Sequence, residues 1–360
     1  MKDIKELTSY IQNYSGAQIK IMEVCGTHTH EIFKQGIRNI LPSNITLISG
    51  PGCPVCVTPN SFIDEAVALA LENNCTITTF GDLVRVPGSE MSLAEARAKG
   101  AKINVVYSPL DAEIYAEEHP EEQVVFLSVG FETTVPANAL SVVHAYNKGL
   151  KNYSILTANK TMDNAYSVLK DSADVFLYPG HVSVITGTSL YEKLKGQGIS
   201  GVVCGFTSQE ILTAIATIIE NLEKGKPFSL NCYPSVVKPE GNPAALKIIK
   251  DTMKSCDAEW RGLGIIKDSG LELNDRYAQY DARKKFNLRK IEGKQNPACR
   301  CGEILQGKCR PDECPCLEKT ARQNILLEHA WFLEKVHAVH SINITFCKFN
   351  YKNYMENYYG

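Results

Sequence analysis

Apolar and polar positions follow two alternating periods along most of this chain. From about residue 19 to 224, short runs rich in β-branched residues are separated by stretches whose apolar positions recur at helical spacing. This order of elements is typical of parallel α/β folds. The runs predict eight strands: Ile19–Val24, Ile45–Ser49, Thr76–Thr79, Ile103–Tyr107, Val124–Val129, Ser154–Thr157, Val175–Tyr178 and Val202–Cys204.

The fold class predicted from this pattern is α/β, with two similar parallel-sheet (Rossmann-like) domains and a smaller, irregular, cysteine-rich C-terminal domain. The acidic stretch 117–122 indicates a surface crossing between two four-stranded halves, so a boundary is predicted near residue 115. The predicted domains are residues 17–115, residues 116–224, and residues 225–360 together with an N-terminal helix at 1–16. In the third domain, only 243–253 and 278–286 have a clear helical pattern.

Composition and charge argue against several classes of partner, namely nucleic acid, anionic lipid and membranes. The 360 residues are 44% hydrophobic and carry 38 basic against 40 acidic side chains, so a net charge of −2 gives no general attraction for nucleic acid or anionic lipid. The start lacks the apolar segment of a secretory signal and no apolar run reaches 18 residues, which predicts a cytoplasmic protein without a membrane partner. Thirteen cysteines in a reducing compartment indicate metal binding, redox chemistry or core positions.

The first candidate site is the segment from Glu23 to His30, where a strand leads into a helix. A thiol at Cys25 would lie near the helix N-terminus, whose dipole favours the thiolate that binds metal. His28 and His30 are two residues apart and point in different directions on a helix, so they are not expected to face one metal together. The alternative is a buried structural cysteine followed by a capping Thr27 and surface histidines.

The second candidate is the loop Gly50-Pro-Gly-Cys-Pro-Val-Cys56, which also follows a strand. Its glycines and prolines predict a tight, exposed loop ahead of a helix at 60–72, which suits a redox dithiol or a pair of metal ligands at Cys53 and Cys56. The spacing alone is weak evidence, since about 0.5 such pairs are expected by chance at this cysteine content.

Further polar loops follow other strands. Asp82 and Arg85 lie beyond the third strand, where they could orient a histidine or bind a small anion, or form an ordinary surface ion pair. The loops at 130–134, 179–183 and 204–206 are interpreted as turn chemistry, with Cys204 a weaker candidate. No phosphate-binding or dinucleotide glycine motif is present, so nucleotide binding is not predicted.

Near the C-terminus, five cysteines occur within 18 residues: Cys299, Cys301, Cys309, Cys314 and Cys316. Such a dense group predicts zinc or an iron–sulfur site, between which the spacing does not choose. Four other cysteines are isolated and interpreted as structural: Cys75, Cys232, Cys256 and Cys347.

Taken in order, six motifs resemble the HypD family, which helps assemble the Fe(CN)2CO group of nickel–iron hydrogenases: Cys25-Gly-Thr-His-Thr-His30, Gly50-Pro-Gly-Cys-Pro-Val-Cys56, Gly81-Asp-Leu-Val-Arg-Val-Pro-Gly88, Gly130-Phe-Glu-Thr-Thr134, Pro179-Gly-His181 and Cys299-Arg-Cys-Gly302. The resemblance implies an iron-binding scaffold with a [4Fe-4S] cluster, working with a HypC-type chaperone and a HypE-type cyanide donor. It implies metal ligation by Cys25, Cys53 and Cys56, functional roles for His28 and Asp82, and cluster ligation by Cys314.

After Cys314-Pro315 the chain departs from the family pattern. Either the cluster is lost, or it is rebuilt from Cys299, Cys301, Cys309 and Cys316, or the reading frame has shifted near codon 315; the abruptness of the change favours the shift. Two other functions remain as alternatives: a stand-alone thiol–disulfide oxidoreductase with a structural zinc or iron–sulfur site, and a zinc-stabilised binding module. The favoured role is a maturation scaffold with possible redox activity, and whether it is an enzyme stays open.

Overall fold

The computed structural model describes residues 3–294, 296–309 and 313–315, and it contains all eight predicted strands within two residues at either end. Most form because a β-branched or aromatic apolar run is buried; β3 and β5 to β8 are buried on both faces, as parallel strands between helices require. Three further strands were not predicted. The strands are β1 Ile19–Glu23, β2 Ile45–Ser49, β3 Thr76–Thr79, β4 Ile103–Val105, β5 Val124–Ser128, β6 Tyr153–Thr157, β7 Val175–Pro179, β8 Ser200–Cys204, β9 Ser229–Asn231, β10 Met253–Trp260 and β11 Gly264–Leu273.

Helices connect most of these strands. Several begin at side-chain caps: Asp3, Ser92 and Thr207 each accept a backbone N–H and are paired with a glutamate in a capping box. The helices are α1 Ile4–Gln12, α2 Gly26–Lys34, α3 Ile37–Ile40, α4 Asn60–Leu71, α5 Leu93–Ala98, α6 Pro109–Glu118, α7 Val135–Lys148, α8 Asp163–Leu169, α9 Gly180–Thr186, α10 Ser189–Gly196, α11 Ser208–Leu222, α12 Pro243–Thr252, α13 Ala282–Lys285 and α14 Cys301–Leu305, with short 3-10 helices at Gly81–Leu83 and Asp275–Tyr280. Within the described residues, no helix is long and apolar enough to cross a membrane.

Two parallel sheets confirm the predicted fold class. The first sheet has the strand order β2-β1-β7-β8-β9 and the second has the order β4-β3-β5-β6. The predicted grouping of the first four strands against the last four is therefore wrong. The four strands β3 to β6 form the second sheet, whereas β1 and β2 pair with the later strands β7 to β9 in the first. The acidic stretch at the end of α6 does not cross between the sheets. Its Glu122 accepts a hydrogen bond at 2.6 Å from Nζ of Lys102, the residue before β4, which holds this stretch against the second sheet.

The N-terminal helix and the C-terminal region also differ from the prediction. Leu7 and Ile11 of α1 pack with α11 in the core of the first sheet, not with the cysteine-rich region. The segment predicted to be irregular contains the antiparallel hairpin β10–β11, whose buried Trp260 donates from Nε1 to Ser269 Oγ at 2.8 Å. The next N–H, of Arg261, donates to Val57 O at 2.8 Å, so the hairpin rests on the cysteine-containing loop after β2.

Candidate functional site

The loops after β1 and β2 meet at the carboxyl edge of the first sheet. The two strands pair in register from Ile19 with Ile45 to Glu23 with Ser49, which carries both chains past the edge side by side. The Gly26 N–H then donates to Gly52 O at 3.2 Å. A side chain at Gly52 would overlap the backbone of Val24 and Cys25, so glycine is required for this contact. The close approach brings Cys25 and Cys53 into one site.

Gly52→Ala is therefore expected to separate the two loops and to lower the free energy of unfolding by about 1–3 kcal/mol, as an overpacked contact does. Chemical denaturation under reducing conditions measures this loss. Gly26→Ala is the matched control, because a Cβ there meets nothing closer than Gly52 O at 3.9 Å. Equal stability of the two variants would show that the loops do not touch.

The two cysteines after β2 occupy different environments. Cys53 is half-buried and its sulfur accepts the Cys56 N–H at 3.4 Å, whereas Cys56 is buried in a core cluster with Met22 and Tyr178 of the first sheet. The turn is closed by the Val57 N–H donating to Cys53 O at 3.2 Å. The predicted tight loop is thus present, with one accessible thiol and one covered thiol.

Cys25 is the residue before the first turn of α2, as predicted. Burial nevertheless raises the pKa of the Cys25 thiol, the N–H groups of His28 and Thr27 oppose the shift, and Cys53 adds to it. The predicted preference for the thiolate is therefore outweighed by desolvation.

His28 lies on the inner face of α2, while His30 is exposed, as their spacing predicts. The His28 ring stacks on Phe206 with centroids 4.7 Å apart, and its Nε2 lies 2.9 Å from Gly205 O. Burial lowers the pKa of His28 to about 4, so the imidazole is neutral at physiological pH and Nε2 is the donor. Its Nδ1 has no hydrogen-bond partner among the described residues, which leaves one ring lone pair available.

Asp82 lies apart from this edge, in the 3-10 helix that follows β3 of the second sheet, and it is exposed. Phe206 and Glu132 were not predicted as site residues, because their loops were interpreted as turns. Both lie within four residues of a strand end, and this position could have indicated them from the sequence. Glu132 is buried, and desolvation raises its pKa to about 7.

The C-terminal cysteines pack against the same interior as Cys56. Cys301, Cys309 and Cys314 are buried, the last two in the same core cluster as Cys56, and the Cys301 N–H donates to Cys299 Sγ at 3.1 Å. Across residues 3–294, 296–309 and 313–315, no three His, Cys, Asp or Glu side chains are arranged to hold a metal ion. Cys316, Cys347 and the atypical tail lie outside the described residues.

Four described cysteines lie outside the site: Cys75, Cys232 and Cys256, which are interpreted as structural, and Cys204, the weaker candidate. Cys75 is fully buried in the core of the second sheet, and Cys204 is buried in the first. Burial raises the pKa of both thiols. Cys232 and Cys256 are half-buried and unbridged, so none of the four forms a disulfide in this structure.

Comparison with known proteins identifies relatives over most of the chain. The family model described as "HypD: Hydrogenase formation hypA family" matches residues 2–324. The Hydrogenase maturation factor HypD of Escherichia coli (strain K12) is 37% identical over 326 residues, covering 89% of this chain and 87% of the relative. The factor of the same name from Cupriavidus necator is 38% identical over 312 residues, covering 83% and 82%, and that from Rhizobium leguminosarum bv. viciae is 40% identical over 306 residues, covering 81% and 80%.

Proposed function

This chain belongs to the HypD family of hydrogenase maturation proteins, and on that basis we propose that it is the scaffold on which iron is held while the Fe(CN)2CO group of nickel–iron hydrogenase is assembled. The observation that supports this most is the contact between the loops after β1 and β2. It brings the thiols of Cys25 and Cys53 to one sheet edge, with the neutral His28 beside them. Thiolate donors suit iron that carries CO and cyanide, because they supply electron density to it.

In the proposed mechanism, iron is the cargo and Cys25 supplies one thiolate, with a second from a HypC-type chaperone. The buried Cys25 thiol loses its proton only when iron arrives, since the cation replaces the missing solvation. A HypE-type protein is the proposed cyanide donor, and the cytoplasm is the proposed compartment, where thiols stay reduced.

Cys53 and Cys56 have two proposed roles. They either ligate the iron directly or reduce an acceptor bound at the iron cargo, which takes up two electrons and two protons as the two thiols close to a disulfide. Their turn is compatible with both, because Cys53 is accessible while Cys56 is covered. Asp82 keeps, as a proposal, the functional role that the family resemblance implies; it follows β3 of the second sheet.

A stand-alone thiol–disulfide oxidoreductase is the less favoured alternative, since it assigns no role to the loop that carries Cys25 and His28.

One experiment distinguishes the two functions. The chain is co-expressed with its chaperone, purified anaerobically, and analysed for iron and for infrared bands of cyanide and CO. Bound iron with those bands supports the scaffold, whereas an active dithiol without iron supports the oxidoreductase.

We also expect Cys53 and Cys56 to act as one unit. Serine at either position should reduce hydrogenase maturation as strongly as serine at both, because a dithiol or a shared metal fails when one sulfur is lost. Cys256→Ser is the matched control, since this half-buried thiol lies in the hairpin β10–β11. Clearly additive losses would contradict a common role.

A further inference from the structure

One phenylalanine ring is shared by two histidines at the carboxyl edge of the first sheet. His28, on α2 after β1, stacks on Phe206 with ring centroids 4.7 Å apart and planes 29° apart. His181, the second residue of α9 after β7, stacks on the same ring with centroids 4.0 Å apart and planes 25° apart. Because β1 and β7 are neighbours in this sheet, the two imidazoles come from adjacent strand ends. Phe206 follows β8 and joins them in one stacked group.

The backbone that carries Phe206 is fixed at the start of α11. Oε2 of Glu210 accepts the N–H groups of Phe206 and Thr207, each at 2.8 Å. A Cβ at Gly205 would lie 2.4 Å from the Glu210 carboxyl group, so a larger residue would have to displace this carboxylate. The carbonyl oxygen of Gly205 lies 2.9 Å from His28 Nε2. One short segment therefore holds His28 both by a hydrogen bond and by a stacked ring.

Two further contacts hold the ring of Phe206 itself. It packs against Gly180, the residue before His181, where a Cβ would lie 3.3 Å from Cε2 of the ring and 2.7 Å from Cys204 O. Tyr233, which follows β9, meets the ring edge-on, with centroids 6.5 Å apart and planes at 89°. Aromatic rings favour this edge-to-face arrangement. These contacts fix the plane on which the two imidazoles stack.

An imidazole is oriented only when both its plane and its rotation within that plane are fixed. For His28, the bond to Gly205 O fixes the rotation and stacking on Phe206 fixes the plane. His181 is exposed, and the stack on Phe206 is the contact that the structure shows for its ring. Groups that orient the side chains of a site from behind affect its function strongly, because a misdirected side chain no longer meets its target.

We propose that Phe206 is a positioning residue of the cysteine site, whose ring holds the imidazoles of His28 and His181 in one fixed arrangement at the sheet edge that carries Cys25. It acts through the two histidines and not on the cargo. This inference rests on the proposed function, because the arrangement matters only if this sheet edge binds the cargo.

NMR of the full chain with labelled histidine, reduced and without iron, tests the shared stack. Protons over the face of an aromatic ring resonate upfield, so the imidazole signals of His28 and His181 should lie upfield of those of the exposed His30. Phe206→Leu should move both sets toward the position of His30, whereas Phe206→Tyr should keep them, because a phenol ring stacks equally well. Signals of either histidine that stay in place in Phe206→Leu overturn the shared stack.

Hydrogenase maturation tests whether the arrangement serves the site. Phe206→Leu should lower maturation by about 10–100-fold, the loss typical of residues that orient metal ligands, and Phe206→Tyr should restore it. Phe80→Leu is the matched control, since Phe80 is also half-buried and directly follows a strand, β3 of the second sheet; it should leave maturation unchanged. Circular dichroism checks that each variant is folded, and Phe206→Met, which also lacks a ring, replaces Phe206→Leu if that variant unfolds.

Two failures are distinguishable. Normal maturation in Phe206→Leu, or a Phe206→Tyr variant as defective as Phe206→Leu, overturns the positioning role while the wild type still carries iron. A wild-type chain that carries no iron when purified with its chaperone overturns the proposed function, and the positioning role with it.

Discussion

Cys25→Ala is expected to abolish the iron and the infrared bands of cyanide and CO in protein purified anaerobically with its chaperone. The reason is that Cys25 is the one thiol of the site at the N-terminus of α2, held against Gly52 by the loop after β2. The fold should persist, with a change of about 1 kcal/mol in the free energy of unfolding, since strand-end loops contribute little to a core. Metal analysis and infrared spectroscopy measure the loss, and circular dichroism measures the fold.

Cys75→Ala is the matched control for this experiment. Its thiol is fully buried in the second sheet, so the variant should lose stability while keeping iron. Iron and both sets of bands persisting in Cys25→Ala would show that another residue holds the cargo.

Arg38→Met is expected to destabilise the protein by about 3 kcal/mol, the largest loss that we expect from a single polar contact in the described residues. Arg38 Nη2 lies 2.6 Å from Oε1 of Glu23, whose side chain is fully buried at the end of β1, and Ser49 Oγ donates to the same oxygen at 2.7 Å. Removing the guanidinium leaves a carboxylate in the interior beneath the Cys25 loop.

The pH dependence of this loss of stability shows whether an unpaired buried carboxylate causes it. Burial already raises the pKa of Glu23 and Arg38 opposes the shift, so the pKa rises further without the arginine. A raised pKa in the folded state gives stability that is present below the unfolded value and lost as the pH rises through the folded value. The deficit of Arg38→Met should therefore be larger at pH 8 than at pH 5.

Two variants serve as controls for the arginine. Glu23→Leu with Arg38→Met should recover most of the stability, because no charge remains buried. Lys34→Met removes an exposed pair with Glu31 at 3.6 Å and should change the free energy of unfolding by less than about 0.5 kcal/mol. A pH-independent loss in Arg38→Met would indicate lost packing instead of an unpaired buried carboxylate.

The hairpin β10–β11 shows where sequence patterns fail. Met253–Trp260 is mostly exposed, and its charged residues all lie at exposed positions. It therefore lacks the continuous apolar run from which β1 to β8 were predicted. Its position is set by Trp260 in the core and by the Arg261 N–H bonded to Val57 O, contacts between segments about 200 residues apart. A local pattern contains no information about such partners.

By itself, the sequence determined the eight parallel strands, the helix at residues 60–71, and the thiols and imidazoles that follow strand ends, because burial on both faces and strand-ending loops leave local signals. Only the tertiary structure decided that β7 pairs with β1, and that Cys25 meets Cys53. It also decided that burial outweighs the helix dipole at Cys25. Strand order, register and desolvation depend on which distant segments pack together, and these are set by the energy of the whole core.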